Sequence, residues 1–413
     1  MLYTFRMTQR TDGLVDWLYL DMNSFFASVE QELDPSLCGR AVAVVPVASD
    51  STCCIAVSYE GKAKGVKTGT PVRDARRLCP GIKFVVGDHA NYVRYHNMIV
   101  EAVESCLPVE AVCSIDEIAC RLTGRHRAVP AASALAAEVK ERIADTVGPS
   151  LKCSIGLGPN RYLAKIAADM RKPDGFTVLR PCDLPSALLA LQPRDLPGIG
   201  PRMEARLAKK GLTTMEKLLA LQPAGMRSAW GSVVGEELWR LLRGAELPRK
   251  ATDQKSFSHS HVLPPELRTL PGALKILKKL TDRAASRLRA EGFYASGLSV
   301  YVRFTGEDAW KAGCSLPETQ DTMAFINAAR ELWKKVPAGR PFAVGMALGG
   351  LVPESLHVPS LFEDPGRGRL VRTLDALNAK FGKEVLHYGA THEAEGLVPL
   401  RIAFTRIPAS EEL

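Results

Sequence analysis

The chain is 413 residues long with a 46% hydrophobic fraction, enough for two to four domains with real cores. Its formal charge of +9 suits a polyanionic partner. Ten cysteines without a CxxC pair, and no apolar run long enough to span a bilayer, exclude a disulfide scaffold and a helical membrane protein and predict reduced thiols in the cytoplasm. Residues 1–12 read as a ragged extension, with Met7 as an alternative start.

Trp17 to Glu30, WLYLDMNSFFASVE, begins as a strand and ends as a helix. Leu18, Leu20 and Met22 alternate with Tyr19 and Asp21, and then Phe25, Val29 and Leu33 follow at helical spacing. Asp21 therefore stands at the end of an apolar strand, where a lone carboxylate is costly to bury. Ala41–Val47 and Cys54–Ser58 read as strands, followed by a basic helix start at Tyr59-Glu60-Gly61-Lys62 and a turn at Gly69-Thr70-Pro71. Residues 89–106 carry a helical apolar stripe of Tyr92, Tyr95, Ile99, Val103 and Cys106.

Cys113 to Arg121, CSIDEIACR, is predicted as one strand that carries Asp116 and Glu117 side by side. Neighbouring strand residues point to opposite faces, so Glu117 has to reach around or use a bent strand end. Asp21, Asp116 and Glu117 fit a divalent-metal site, and an oxygen-only donor set favours Mg²⁺ or Mn²⁺ over zinc. The plainer alternative makes Asp21 a helix cap and the other two acids exposed strand ends. An Ala-rich helix over about 129–146 follows, then a strand at 152–158 and a helix from Asn160 to Met170. This order of strands and helices is that of a ferredoxin-like unit.

Residues 181–248 read as compact and helical. Asp195-Leu196-Pro197-Gly198-Ile199-Gly200, after one helix and before another that runs to Lys210, reads as a helix-hairpin-helix. Gly198 and Gly200 let backbone amides face a phosphate, and Arg202, Arg206, Lys209 and Lys210 add charge, which points to sequence-indifferent DNA-backbone binding. Beyond a basic linker, residues 256–351 form a second α/β unit. Phe257, His259 and His261 alternate with serines; Leu298, Val300, Val302 and Phe304 alternate with Ser299, Tyr301 and Arg303. Phe342, Val344, Met346 and Leu348 alternate with Ala343, Gly345, Ala347 and Gly349, giving a bulky face and a nearly bare one. Helices near 270–291 and 321–335 are expected to cover the bulky side.

DMNSFFASVEQ, SIDE and KCSIGLGPNRYLAKIAADMRKPDG together resemble the Y-family DNA polymerases of the DinB and UmuC type. The resemblance implies an α+β, multidomain right-hand polymerase: a ferredoxin-like palm (1–24 and 89–180), small fingers (25–88), a helical helix-hairpin-helix thumb (181–248), a linker (249–255), an α/β little finger (256–352) and a C-terminal tail (353–413). It implies two Mg²⁺ ions, with Mn²⁺ as a substitute, on Asp21, Asp116, Glu117 and the backbone carbonyl of Met22, and those acids as the catalytic groups. Phe25, Phe26, Tyr59, Lys62 and Lys172 become deoxynucleoside-triphosphate contacts, with Phe26 the steric gate beneath the sugar and Ile55 over the templating base. Primer-template DNA falls to Gly198, Gly200, Arg202, Tyr301 and Arg303. Val358-Pro359-Ser360-Leu361-Phe362 is similar to a sliding-clamp peptide, with Leu361 and Phe362 as anchors and Val358 in place of the usual glutamine. A monomer is expected.

The chain departs from the family pattern at three further points. Lys62 stands where arginine is usual, Asn23 where aspartate is common, and Arg121 where an acid usually ends the strand, putting a cation a few residues from the metal site. The rival reading is a non-catalytic Y-family relative that binds DNA and bridges repair partners; such relatives lose metal carboxylates, and this chain keeps all three.

Overall fold

The first strand, β1 (Trp17–Met22), is buried along its whole length. The computed structural model describes residues 13–248, 254–306, 308–359, 365–382, 385–398 and 407. They fall into two compact units, residues 1–249 with 401–413 and residues 250–400.

In the first unit, α1 (Phe25–Leu33) follows β1 directly. A three-stranded sheet comes next, β2 (Val42–Val45), β3 (Ala56–Val57) and β4 (Lys83–Val86), flanked by α2 (Tyr59–Ala63) and α3 (Val72–Leu78). Its small core joins Ala43, Cys54, Val57, Val66, Ala75 and Ile82. Then come α4 (His89–Glu104), β5 (Ala111–Ser114), β6 (Glu117–Arg121), α5 (Val129–Thr146), β7 (Cys153–Gly158), α6 (Arg161–Met170) and β8 (Phe176–Val178). The central sheet runs β5-β6-β1-β7-β8. Its first four strands are antiparallel neighbours in ferredoxin-like order, and β8 adds a parallel edge.

The alternation of β1 decides what each face meets. Leu18, Leu20 and Met22 enter the main core with Ile99, Ile118, Val139, Ile143 and Ile155, where truncating one Leu or Ile to Ala costs about 2–5 kcal/mol. Trp17 and Tyr19 pack on the other face with Ala119, Ala164 and Ala168. Gly156 lets α6 lie close here, because a Cβ at that position would stand 2.1 Å from the Ala164 carbonyl oxygen. On its far side α6 sends Leu163 and Ile166 into a helical core with α7 (Pro201–Lys209), α8 (Met215–Leu219), α9 (Pro223–Trp230) and α10 (Val233–Leu241).

Two expectations are corrected here. Residues 113–121 are not one strand but the β5–β6 hairpin, turning at Ile115-Asp116. Ile115 is buried in the core and a register shift falls between Val112 and Ser114, so period-2 alternation breaks without a glycine or proline to mark it. The residues before the Gly198 hairpin form only a 3₁₀ turn, Pro193–Asp195, rather than a longer helix.

The second unit has a sheet in the order β11-β10-β12-β9, built from β9 (Ser256–Val262), β10 (Phe293–Phe304), β11 (Ala309–Thr319) and β12 (Pro341–Pro353). Its apolar face packs on α11 (Leu270–Ala290) and α12 (Thr322–Trp333) through Phe257, Ile276, Leu298, Val300, Phe325, Val344 and Met346. Phe342 leaves the expected alternation: a register shift at Arg303/Phe304 places its ring between the guanidiniums of Arg268 and Arg303, 4.9 and 4.7 Å from the centroid. A last helix, α13 (Pro365–Phe381), is tied to α11 where the buried Arg289 grips Asp375 with two hydrogen bonds of 2.6 and 2.9 Å.

Candidate active site

Asp21 and Glu117 are direct partners across β1 and β6, so both carboxylates rise from one face of the sheet. Asp116 occupies the hairpin turn; its backbone carbonyl accepts from the Met22 amide at 2.8 Å and its carboxylate accepts from Ser114 Oγ. The turn resolves the problem of two adjacent acids facing one site, since Asp116 is released from strand alternation.

Two lysines stand among the acids. Lys172 Nζ stands 2.7 Å from Asp21 Oδ1 and 2.7 Å from Asp169 Oδ1. Lys165, on α6, bonds Glu117 and lies 3.9 Å from both Asp21 Oδ2 and Asp169 Oδ2. Glu117 also accepts from the Tyr19 hydroxyl at 2.9 Å. Burial pushes the Asp21 carboxyl up to about 7, partly offset by Lys172, while Asp169 pushes it further up. Asp116 is also raised by burial, against the Ser114 hydrogen bond. Burial acts on Glu117 in the same direction, but the bond and charge of Lys165, the Tyr19 hydroxyl and the charge of Lys172 together outweigh it and hold the group below its ordinary range.

A cavity of about 220 Å³ opens beside these groups, lined by Asp21, Met22 and Asp116 at one end and by Phe25, Phe26, Ile55, Tyr59, Lys62 and Lys172 around it. Phe26 stacks on Tyr92 at 4.2 Å. Lys62 Nζ donates to Ser24 Oγ at 2.7 Å and lies 4.3 Å from the Tyr59 ring centroid. Ser24 has φ +51° at the start of α1, which presents its hydroxyl to the lysine.

Some of this frame was hidden in the sequence. Asn23 is buried and acts as a pin: its Nδ2 donates to Ser154 Oγ at 3.0 Å, and its Oδ1 accepts from the Asp174 amide at 2.6 Å. The loop that carries Lys172 is thereby tied to β1. Asn23-for-Asp was visible as a departure, but its partners lie more than a hundred residues away. Lys165 and Asp169 had only their i, i+4 spacing as a signal.

The impB/mucB/samB family model matches residues 20–169, its C-terminal domain model residues 254–361, and the DNA polymerase-iota thumb domain model residues 194–246. DNA polymerase IV of Moorella thermoacetica is 36% identical over 392 residues, which cover 92% of this chain and 97% of that one. The chain belongs to the Y-family DNA polymerases of the DinB type. DNA polymerase IV of Pelotomaculum thermopropionicum is 31% identical over 89% of this chain and 92% of its own. Among solved structures, a Y-family DNA polymerase chimera of Dbh and Dpo4 superposes with a TM-score of 0.70 at 24% identity, covering 82% of this chain and 99% of that chain, and so shares the fold.

Y-family polymerases depend on divalent metal, and this site's donor set agrees with that. It is all oxygen, and the two carboxyls nearest the cavity are held up by burial, a cost that a neighbouring dication would relieve. Arg121, expected close to the metal site, is at the other end of β6, four residues or about 13 Å from Glu117. Its guanidinium lies over the Trp17 ring, 5.8 Å from the centroid. It is no part of the site.

The expected DNA contacts occupy two surfaces, one in each unit. Gly198 has φ +90° and open space around its Cα, and exposed Gly200 and Arg202 begin α7. Tyr301 and Arg303 stand on the sheet face opposite α11, with the Tyr301 ring lying over Gly345. Lys311 is exposed and pairs in register with Tyr301, adding a cation that the alternation of β10 alone did not reveal. Leu361 and Phe362 lie outside the described residues.

Proposed function

We infer that this chain is a template-directed DNA polymerase of the translesion type, adding deoxynucleotides to a primer 3′-end. The observation that carries the reading is the meeting of Asp21, Asp116 and Glu117 at the end of β1 and β6, beside a cavity rimmed by Phe26, Tyr59, Lys62 and Lys172. A non-catalytic DNA-binding relative would have no use for three retained acids around such a cavity.

Asp21, Asp116, Glu117 and the Met22 carbonyl would hold two Mg²⁺ ions, for which Mn²⁺ is the chemical substitute as another dication that takes oxygen ligands. When bound, such ions acidify the primer 3′-hydroxyl and balance the charge of the departing pyrophosphate. The protein's own residues do the rest. Lys172, neutralising Asp21 and Asp169 in this structure, is in place to take over a triphosphate oxygen. Lys62 reaches the same cavity as a point charge on Ser24. Phe26 gives the sugar an apolar floor that offers a 2′-hydroxyl no hydrogen bond. The small three-stranded fingers hold the nascent pair with few residues, Ile55 among them, consistent with tolerance of damaged templates and low fidelity.

Primer-template DNA would lie along Gly198, Gly200 and Arg202 of the thumb and along Tyr301, Arg303 and Lys311 of the little finger. The tail peptide Leu361-Phe362 is assigned to a sliding clamp. The enzyme is assigned to the cytoplasm as a monomer; no helix among the described residues is long and apolar enough to cross a membrane. Primer extension with Mg²⁺ tests the reading directly. Wild type should extend, and Asp21→Ala, Asp116→Ala and Glu117→Ala should each abolish extension while DNA binding survives. Near wild-type extension by any of the three variants overturns the assignment.

A further inference from the structure

Away from the carboxylate site, the segment after α13 brings together two imidazoles and a carboxylate. His387 Nε2 and His392 Nδ1 share a hydrogen bond of 2.8 Å, with the ring planes 4° apart and the centroids 5.1 Å apart. Glu395 Oε2 is 3.6 Å from His392 Nδ1, and one ligand atom from each of the three residues lies within 4.8 Å of the others. Glu395 Oε1 also stands 3.4 Å from Nδ1 of His387. One of the two facing nitrogens donates in their hydrogen bond and the other accepts, so an ion entering the site displaces that shared proton, and Glu395 stands within reach of both rings.

The backbone around the three residues is anchored on both sides. Asn378 of α13 exchanges two hydrogen bonds of 2.8 Å with the backbone of Leu386, the residue before His387. Glu393 meets Lys275 of α11 at 3.1 Å, and Thr391 and Ala394 are buried in the 3₁₀ turn between the two histidines and Glu395. The three groups are thus held by two helices of the second unit instead of projecting from an untethered chain.

We propose that His387, His392 and Glu395 bind a single zinc-class divalent ion, which closes residues 387–395 after α13 into a local loop. The donor set decides the class: two imidazoles and one carboxylate suit Zn²⁺, Co²⁺ or Ni²⁺ and not Mg²⁺, which keeps to oxygen ligands. Size agrees as well. Two ligands each about 2.0–2.1 Å from one ion at the tetrahedral angle stand roughly 3.4 Å apart. The His392–Glu395 separation of 3.6 Å is already close to that, and the two imidazole nitrogens need only open from 2.8 Å. Three protein ligands leave a fourth position for water.

The site is independent of the polymerase reading, so its test is read as metal binding. The full chain, stripped with a chelator and kept reduced, is titrated with Co²⁺, whose visible bands report coordination number and whose near-ultraviolet charge-transfer band reports thiolate. Expected are one high-affinity Co²⁺ per chain with tetrahedral visible bands and no thiolate band, displacement by Zn²⁺, and a rise in melting temperature. His392→Ala and Glu395→Gln should each weaken binding by more than the roughly 10–100-fold that a lost outer partner costs. Both side chains are at least partly exposed, and folding of each variant is checked by its metal-free melting temperature. Unchanged affinity in folded His392→Ala, or a thiolate band in wild type, overturns the proposal.

Discussion

The ring of Phe26 lies nearly flat against that of Tyr92, with centroids 4.2 Å apart and planes 17° apart. Tyr92 is fully buried and its hydroxyl bonds Glu30, one turn along α1 from Phe26. The edge of His89 closes another side at 6.4 Å. The ring at the cavity floor is therefore backed by a fixed aromatic wall. An apolar pocket alone rejects an added hydroxyl only about a hundredfold, so rigidity has to supply further discrimination. Phe26→Ala should raise the ribo- to deoxynucleotide ratio of kcat/KM sharply and, because the ring also packs, lower stability by about 3–5 kcal/mol. Tyr92→Ala should raise the same ratio less. Single-nucleotide kinetics with both sugars, beside melting curves, check this; an unchanged ratio in Phe26→Ala removes the gate.

The pin at Asn23 gives a second prediction. Its Oδ1 holds the Asp174 amide and its Nδ2 holds Ser154. Asn23→Ala leaves buried polar groups unpaired, a loss of about 1–3 kcal/mol, and frees the loop that carries Lys172. The KM for the incoming nucleotide should rise. Asn23→Asp keeps the acceptor for Asp174 and should restore most of the KM. If Asn23→Ala leaves KM unchanged, the loop does not depend on the pin.

Much of this site could be read from the chain because β1 and α1 announce themselves by a change of period. Leu18, Leu20 and Met22 repeat every second residue, Phe25 and Val29 every fourth, and Asp21 falls at the junction. The long helices over 129–146 and 270–290 were legible for the same reason. The hairpin at Ile115-Asp116 was not, since neither turn residue is a breaker and both strands are apolar. Arg121 misled because sequence distance was taken for proximity; along a strand four residues lead away from a site. Phe342 misled because one register shift exchanges the faces.

DNA affinity should depend on salt and be indifferent to sequence. Each phosphate contact on duplex DNA contributes roughly −0.9 to the slope of log K against log salt. Replacing both Arg303 and Lys311 by Ala should flatten that slope by about 1.8, two contacts at roughly 0.9 each. Fluorescence anisotropy over a salt series measures it. A slope equal to that of wild type takes the open face of β10 and β11 away from the DNA.

The tail offers a cleaner separation of functions. Leu361→Ala with Phe362→Ala should remove clamp-stimulated synthesis and leave basal primer extension intact. Val358, in the glutamine position, is 80% exposed and so is available as part of a peptide that docks elsewhere. Equal stimulation of the double variant by a sliding clamp removes the motif from consideration.

Lys62 is where the chain's own chemistry should be most visible. Burial lowers its pKa, Lys172 lowers it further by repulsion, and Asp21 only partly compensates. A lysine that binds a triphosphate must be charged to do so. With the folded pKa depressed, the charge is complete at low pH and is lost, as pH rises, earlier than an ordinary lysine would lose it. The KM for the incoming nucleotide should therefore climb on the alkaline side in wild type. Lys62→Arg replaces the group by one that stays charged in proteins and can grip phosphate with two donors. That variant should have a lower KM at neutral pH and a flat alkaline limb. Phe26 and Tyr59 are untouched by the change, so kcat and sugar preference should stay close to wild type. KM measured against pH for both proteins settles the point, and parallel alkaline limbs would show that Lys62 does not carry the triphosphate.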